Sequence, residues 1–314
     1  MPSDQATLSI FGVFQWIRKC LDIERGVIPL HERQGIIRNQ PVSEELLNTF
    51  MLMSQFSAAV YCRSNNDSPG TSLSCSAGNC PLVEAGDTQT VAEFQDTAAT
   101  DTTGYVAISR KYSMIVVGFR GSRSMRNYIA DLTFEGESVN LAGCKNCKGH
   151  KGFWNSWQEA KEQVVRAVRQ VSAENPGYQI VFTGHSLGAA VATLAAADMR
   201  TMGLDISLYT FGAPRVGDSS LSTFISNQPG GNYRLTHGSD LIPQLPPLLF
   251  GYRHISPEYF ISSGQNIVPT PKDITIYSGD WNLSGNTGKL PGNVVAHQWY
   301  FNRIASCASG FEWK

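Results

Sequence analysis

Thr183-Gly184-His185-Ser186-Leu187-Gly188-Ala189 is the stretch on which the reading of this chain turns. The apolar run Gln179-Ile180-Val181-Phe182 precedes it, and Ala190-Val191-Ala192-Thr193-Leu194-Ala195-Ala196-Ala197 follows. A β-branched, aromatic run followed by an alanine-rich one predicts strand, tight turn and helix. Within the turn, Gly184-x-Ser186-x-Gly188 has the spacing of a nucleophile elbow, where a serine is held on a strained strand-to-helix turn. Small residues two positions to either side let strand and helix approach each other. Glycine and serine are common, so the same pattern also describes an ordinary glycine turn. The two readings separate on whether the remaining chain supplies a base, an acid and an oxyanion hole.

At 314 residues the chain can hold a large α/β core, in one domain or two. A formal net charge of −1 gives no basic excess on which to rest a nucleic-acid partner. No apolar run reaches the roughly eighteen residues of a transmembrane helix. In residues 1–40 the apolar stretch Leu8 to Ile17 is broken by Gly12 and Gln15 and has no basic residue before it, so no clear signal peptide is present. This N-terminal segment is expected to be poorly ordered and non-catalytic, a pro-segment or an unprocessed N-terminus. Residues 41–314 are expected to form a single α/β domain.

Seven cysteines bear on the compartment. Two close pairs, Cys75 with Cys80 and Cys144 with Cys147, plus the distant Cys62 and Cys307, would leave Cys20 over. Cys144-x-x-Cys147 also admits a redox or a zinc reading. No second such motif and no zinc-spaced histidine pair accompanies it, and its neighbours Gly143, Lys145, Asn146 and Gly149 suggest a surface loop. Disulfides in an oxidising compartment are favoured. The sequons at Asn66 and Asn282 agree with secretion.

Along the chain, Ser43 with Glu44 and Glu45 predicts the start of a helix that runs through Val60. Residues 104–108 and 114–119 read as a hairpin around Arg110 and Lys111. A longer amphipathic helix is expected over 156–175, strands over 206–211 and 233–236, and a helix near 218–226. The proline-rich stretch 243–250 is a candidate pocket wall. Beyond a Gly/Asn/Pro loop at 284–293, a helical fragment is expected at the C-terminus. Strand, helix and strand around the elbow form a right-handed βαβ unit of a mainly parallel sheet.

A serine hydroxyl needs a neighbouring imidazole to take its proton, and the imidazole needs a carboxylate to fix its tautomer. In α/β-hydrolases these follow the serine in the order acid, then base. The acids after Ser186 are Asp198, Asp205, Asp218, Asp240, Asp273 and Asp280. Asp240 is chosen because it lies at the carboxyl end of a strand, where ligand sites of open α/β sheets gather. Among six histidines, His31 lies in the N-terminal segment, and His150 and His237 break the order. His185 leaves the turn in the wrong direction and is expected to be a buried, hydrogen-bonded ring. Of the remaining two, His254 and His297, the latter is preferred because a flexible loop precedes it. The oxyanion hole takes one backbone N–H from Leu187 and another from Ser122, in the one earlier strand-to-helix turn with a small residue. Met125, Tyr128, Ile129 and Leu132 then line one face of a two-turn helix, either a small core helix or a lid.

With these residues in place, the chain resembles the secreted filamentous-fungal triacylglycerol lipases, class 3, of the Thermomyces and Rhizomucor type. The resemblance rests on Phe119-Arg120-Gly121-Ser122-Arg123-Ser124, residues 181–188 and 209–217, Leu245-Pro246-Pro247, Ser256-Pro257-Glu258-Tyr259, and residues 296–301. It implies an α/β-hydrolase fold with a mainly parallel central sheet flanked by helices and a short helical lid. It places the nucleophile on Ser186, the acid on Asp240, the base on His297, and the oxyanion residues on Ser122 and Leu187. The lid falls on Met125, Tyr128, Ile129 and Leu132, with Tyr128 where the Thermomyces type has tryptophan. The implied disulfides are Cys62–Cys307, Cys75–Cys80 and Cys144–Cys147. The activity implied is hydrolysis of triacylglycerols at a lipid–water interface, by a secreted, peripheral, monomeric enzyme without metal or cofactor. Phospholipase and feruloyl esterase activities are the alternatives on this fold, and an inactive lipid-binding module is the alternative from another class.

Overall fold

The apolar runs read as strands pair into one large sheet. The computed structural model describes residues 36–38, 41–66, 68–95, 97, 99–122, 133–280 and 282–308. In chain order they form β1 (Ile36–Arg38), α1 (Glu44–Ala59), α2 (Pro81–Glu84), β2 (Thr88–Phe94), β3 (Gly104–Ser109), β4 (Met114–Phe119), β5 (Gly136–Ser138) and β6 (Lys148–His150). There follow α3 (Lys151–Glu174), β7 (Gln179–His185), α4 (Leu187–Thr201), β8 (Ile206–Phe211), β9 (Gly217–Asp218), α5 (Ser219–Ser226), β10 (Asn232–His237), β11 (Tyr252–Arg253), β12 (Glu258–Ile261) and β13 (Ile274–Tyr277). Nine strands join in the order β1-β13-β12-β10-β8-β7-β4-β3-β2. The central pairs β4–β7, β7–β8, β8–β10 and β10–β12 are parallel, and the outer pairs are antiparallel. With helices on both faces, this is the α/β-hydrolase fold.

Burial on both faces explains the near-continuous apolar strands. Ile115, Val117 and Phe182 face α3 and α4, packed with Trp157, Val164 and Leu194. Val116, Val181 and Phe211, of opposite parity, face α1 and pack with Phe50, Met53 and Phe56. The register Phe119↔Gly184, His185↔Phe211 and Leu235↔Phe211 brings the carboxyl ends of β4, β7, β8 and β10 together. A crevice for a ligand in an open parallel sheet lies at that edge.

Ser43 caps α1 through its hydroxyl, which accepts from the Leu46 N–H, as its position predicts. Three disulfides are present: Cys62–Cys307, Cys75–Cys80 and Cys144–Cys147. The first bridges a sequence separation of 245, which in the chain-entropy picture constrains the unfolded chain by about 5 kcal/mol. A bonded Cys144–Cys147 pair leaves no thiolate there to hold zinc. Asn66 and Asn282, the sequon asparagines, are both buried.

Three expectations are corrected. Ile36–Arg38 joins the sheet as an edge strand antiparallel to β13, although residues 1–40 were expected to be poorly ordered. Helix α3 starts at Lys151 rather than 156, because the His150 side chain caps it and accepts from the Phe153 N–H. The C-terminal stretch to residue 308 makes turns instead of a helix, held by Ser306 N–H to Arg303 O and Ala308 N–H to Ala305 O.

Candidate active site

The elbow is built by close backbone approach. A Cβ on Gly184 would stand 2.5 Å from the Gly188 carbonyl, and one on Gly188 would stand 2.2 Å from the Phe119 carbonyl oxygen. Only hydrogens at both positions let β7, α4 and the end of β4 meet. Ser186, at the N-terminus of α4, takes φ 59° and ψ −130°, a region that side-chain-bearing residues avoid. Its own N–H donates to the Phe211 carbonyl at 3.0 Å. Leu187 is the first helical residue, so its N–H has no acceptor within the helix and faces the turn. A Cβ on Gly121 would lie 3.1 Å from Ser186 Cβ, so the loop carrying Ser122 passes in contact with the serine.

His297 and Asp240 meet against Gly212, the residue after the Phe211 whose carbonyl the Ser186 N–H reaches. His297 Nδ1 donates to Asp240 Oδ2 at 2.8 Å, and both side chains lack exposed surface. The contact fixes the tautomer, because a carboxylate only accepts. His297 Nε2 is buried and has no hydrogen-bond partner among the described residues. Such an imidazole keeps its basic nitrogen available for a proton, as a general base requires.

Asp240 receives two further donors that the sequence reading did not assign. The Tyr300 hydroxyl donates to Oδ2 at 2.5 Å, and the Ile242 N–H donates to Oδ1 at 2.9 Å. Burial, followed by the charge of Asp240, pushes the Tyr300 phenol well above its usual range, so it stays a donor. Tyr300 stands three residues after His297, and that short spacing is the only signal in the sequence. A hydrogen bond to a charged group contributes roughly 1.5–3 kcal/mol. Tyr300→Phe is therefore expected to lower kcat/KM by roughly 10–100-fold with little change in KM. An unchanged kcat/KM would show that Asp240 is oriented without it.

Four of the five other acids have partners elsewhere, and Asp205 lies near enough to Arg200 to favour its charge. Asp198 accepts from Trp157 Nε1 at 2.7 Å and pairs with Lys161 at 2.6 Å, while Asp218 caps α5. Asp273 accepts from Thr270, and Asp280 from Ser219. His254 Nε2 donates to the Pro243 carbonyl at 2.6 Å. His150 Nε2 donates to the Thr133 carbonyl at 2.6 Å. His185 Nε2 donates to the His297 carbonyl at 2.9 Å, and the Tyr61 hydroxyl donates to His185 Nδ1 at 2.8 Å. The ring beside the serine therefore braces the backbone of His297. Met125, Tyr128, Ile129 and Leu132 lie outside the described residues, as do Cys20 and His31.

Burial, with His297 as a secondary cause, holds His185 well below the ordinary histidine range. Burial, then Arg234 and Arg215, does the same to His254. Both rings take up protons in the unfolded chain below about pH 6.5 but stay neutral in the folded chain. The unfolded state then binds more protons, so stability falls as pH falls from there toward the folded values. The two groups act in the same direction, so their contributions to the pH dependence add. Urea melts between about pH 7 and pH 5 should show it; a midpoint that holds steady or rises on acidification would contradict it.

Fold and site define a member of the α/β-hydrolases. The Lipase (class 3) family model matches residues 116–250. The chain is 42% identical over 275 residues to secreted mono- and diacylglycerol lipase A of Penicillium cyclopium, covering 86% of this chain and 89% of that protein. Secreted mono- and diacylglycerol lipase 1 of Fusarium solani is 39% identical over 280 residues, covering 87% and 81%. The crystal structure of a mono- and diacylglycerol lipase from Aspergillus oryzae superposes with a TM-score of 0.80 at 42% identity, covering 85% of this chain and 100% of that one. The chain belongs to the class 3 lipase family.

Proposed function

We propose that Ser186, His297 and Asp240 act as nucleophile, base and acid of an acylglycerol ester hydrolase, with Ser122 and Leu187 holding the oxyanion. The observation that carries this reading is the His297 ring, tied to Asp240 through Nδ1 with Nε2 unpartnered, beside a serine on a strained turn. His297 takes the Ser186 proton as the hydroxyl adds to the ester carbonyl. The N–H groups of Leu187 and Ser122 receive the negative charge that develops on the carbonyl oxygen. Collapse expels the alcohol, protonated by His297, and leaves an acyl-Ser186 ester. Water, deprotonated by the same ring, then releases the fatty acid and restores Ser186.

The substrate proposed is a triacylglycerol at a lipid–water interface. The family resemblance of residues 119–124 and 296–301 supports it. Ser186 has no exposed surface, so access requires an opening movement, and an apolar lid over residues 125–132 would make that movement favourable only against lipid. A second reading, mono- and diacylglycerols in preference to triacylglycerols, is favoured by the names of the relatives. Rates on monooleoyl-, dioleoyl- and trioleoylglycerol, phosphatidylcholine and methyl ferulate, measured side by side, test both. Trioleoylglycerol should be cleaved at a rate comparable to the partial glycerides, and faster once it passes its solubility limit. Hydrolysis confined to the partial glycerides would select the second reading, and no glyceride hydrolysis would reject both.

Three disulfides, together with relatives named as secreted, support an extracellular enzyme. Among the described residues no helix is long and apolar enough to cross a membrane, which fits peripheral contact with lipid. We take residues 41–314, with the edge strand Ile36–Arg38, as one catalytic domain, and the protein as a monomer.

A further inference from the structure

Large apolar side chains that stand singly in water are ordinary, but gathered beside a site they mark a contact surface. Among the described residues the strongly exposed ones are Leu249 (52%), Phe250 (44%), Ile267 (56%), Val268 (50%) and Val295 (42%). Three of them form one lip. Gln265 Nε2 donates to the Val295 carbonyl at 3.0 Å, and Trp299 Nε1 donates to the Ile267 carbonyl at 3.1 Å. The loop after β12 is thereby fastened to the segment that carries His297. Beneath both, His237 places Nδ1 3.0 Å from the Ala296 carbonyl oxygen and Nε2 2.9 Å from that of Ser263. The lip and the base are thus braced to one buried ring.

The charge pattern narrows what this lip can meet. Residues 259–271 and 290–302 contain no Asp, Glu, Lys or Arg. Within these two stretches an anionic headgroup would find no cation and a charged protein surface no counter-charge, the neighbouring cations Lys272, Lys289 and Arg303 lying just outside them. Three aliphatic side chains are also far short of the roughly 800 Å² per partner that a stable protein interface buries. A fluid lipid layer has no shape to match and requires only apolar area.

We infer that Ile267, Val268 and Val295 form a docking lip for an uncharged lipid surface, which seats the His297 side of the site on the substrate layer. The inference rests on the acylglycerol reading above and names the surface through which that site meets its substrate. Contact of this kind depends on aliphatic area and not on salt, whereas a lip that attracted anionic lipid would weaken as salt rises.

Flotation with trioleoylglycerol emulsions and with phosphatidylcholine and phosphatidylglycerol vesicles tests it, alongside hydrolysis of soluble p-nitrophenyl acetate. The double variant Ile267→Ser/Val268→Ser should bind the emulsion about tenfold more weakly or worse, by loss of apolar area. Its kcat/KM on p-nitrophenyl acetate should stay within about twofold of wild type, because both side chains stand in solvent. Ile267→Trp should tighten binding, since an indole suits a lipid–water boundary. Wild-type binding should not change from about 0.05 to 0.5 M NaCl or on going to phosphatidylglycerol. Unaltered emulsion binding by both variants, or a salt-sensitive preference for phosphatidylglycerol, overturns the inference. A wild type that binds the emulsion but cleaves no glyceride rejects the acylglycerol reading instead, so the two failures are distinct.

Discussion

Ser186→Ala is expected to lower hydrolysis of a soluble p-nitrophenyl ester by roughly 10⁴–10⁶-fold while leaving the melting temperature unchanged. On the proposed mechanism the loss is large because Ser186 forms the acyl-enzyme, while the proposed oxyanion donors stay in place. Stability is spared because alanine keeps the Cβ and therefore the backbone strain at φ 59° and ψ −130°. A second substitution separates chemistry from strain. Ser186→Gly should be equally inactive and more stable than wild type by about 1 kcal/mol, since glycine accepts this conformation without a Cβ penalty. Kinetics and thermal melts on the two variants check the pair. Residual activity within about tenfold of wild type would reject Ser186 as the nucleophile.

Gly212→Ala is the second large effect, and here activity and stability should fall together. Gly212 has φ +60°, and a Cβ there would stand 2.8 Å from His297 Cε1 and Nδ1 and 3.0 Å from Asp240 Oδ2. Real Cβ atoms do not approach so closely, and the ring cannot swing away. It is held on one side by Asp240 and on the other by the His185 ring at 4.3 Å between centroids. The methyl group must push the imidazole and carboxylate apart. Misplacing a catalytic group by about 1 Å costs on the order of 10²-fold, so kcat/KM should drop by at least that much. Overpacking and the positive φ together should cost roughly 2–4 kcal/mol. Retention of activity within about threefold would mean that the His297–Asp240 pair tolerates displacement, contrary to the tautomer argument.

Features carried by neighbours in sequence are legible in the sequence itself. The elbow is one: strand residues 179–182, the glycines around Ser186 and the alanines after it all lie within one stretch, and each dictates its own local geometry. The Ser43 cap of α1 and the β3–β4 hairpin are equally local. Features set by a distant partner are not. The Ile36–Arg38 strand exists because β13, far along the chain, offers it an edge. The start of α3 moved to Lys151 because the side chain of His150 supplies the cap, and histidine is not a usual capping residue. Tyr300 lies in a stretch that the family resemblance already covered, yet its role required knowing where its hydroxyl points. His185 shows the opposite case. Its place next to Ser186 ruled it out as a base, because adjacent side chains on a tight turn diverge. Its actual task, bracing His297 from beneath, needed the fold.

By itself, the sequence determined the nucleophile candidate, the order of acid and base behind it, and the class of fold, because these follow from local propensity and from the chain order of the sheet's loops. The tertiary structure alone decided which atoms meet: His297 Nδ1 and the Tyr300 hydroxyl on one oxygen of Asp240, Gly212 against the ring, and the uncharged lip of Ile267, Val268 and Val295 beside it. Those contacts join residues tens of positions apart, and only the parallel stacking of β4, β7, β8 and β10 brings their carboxyl ends to one edge.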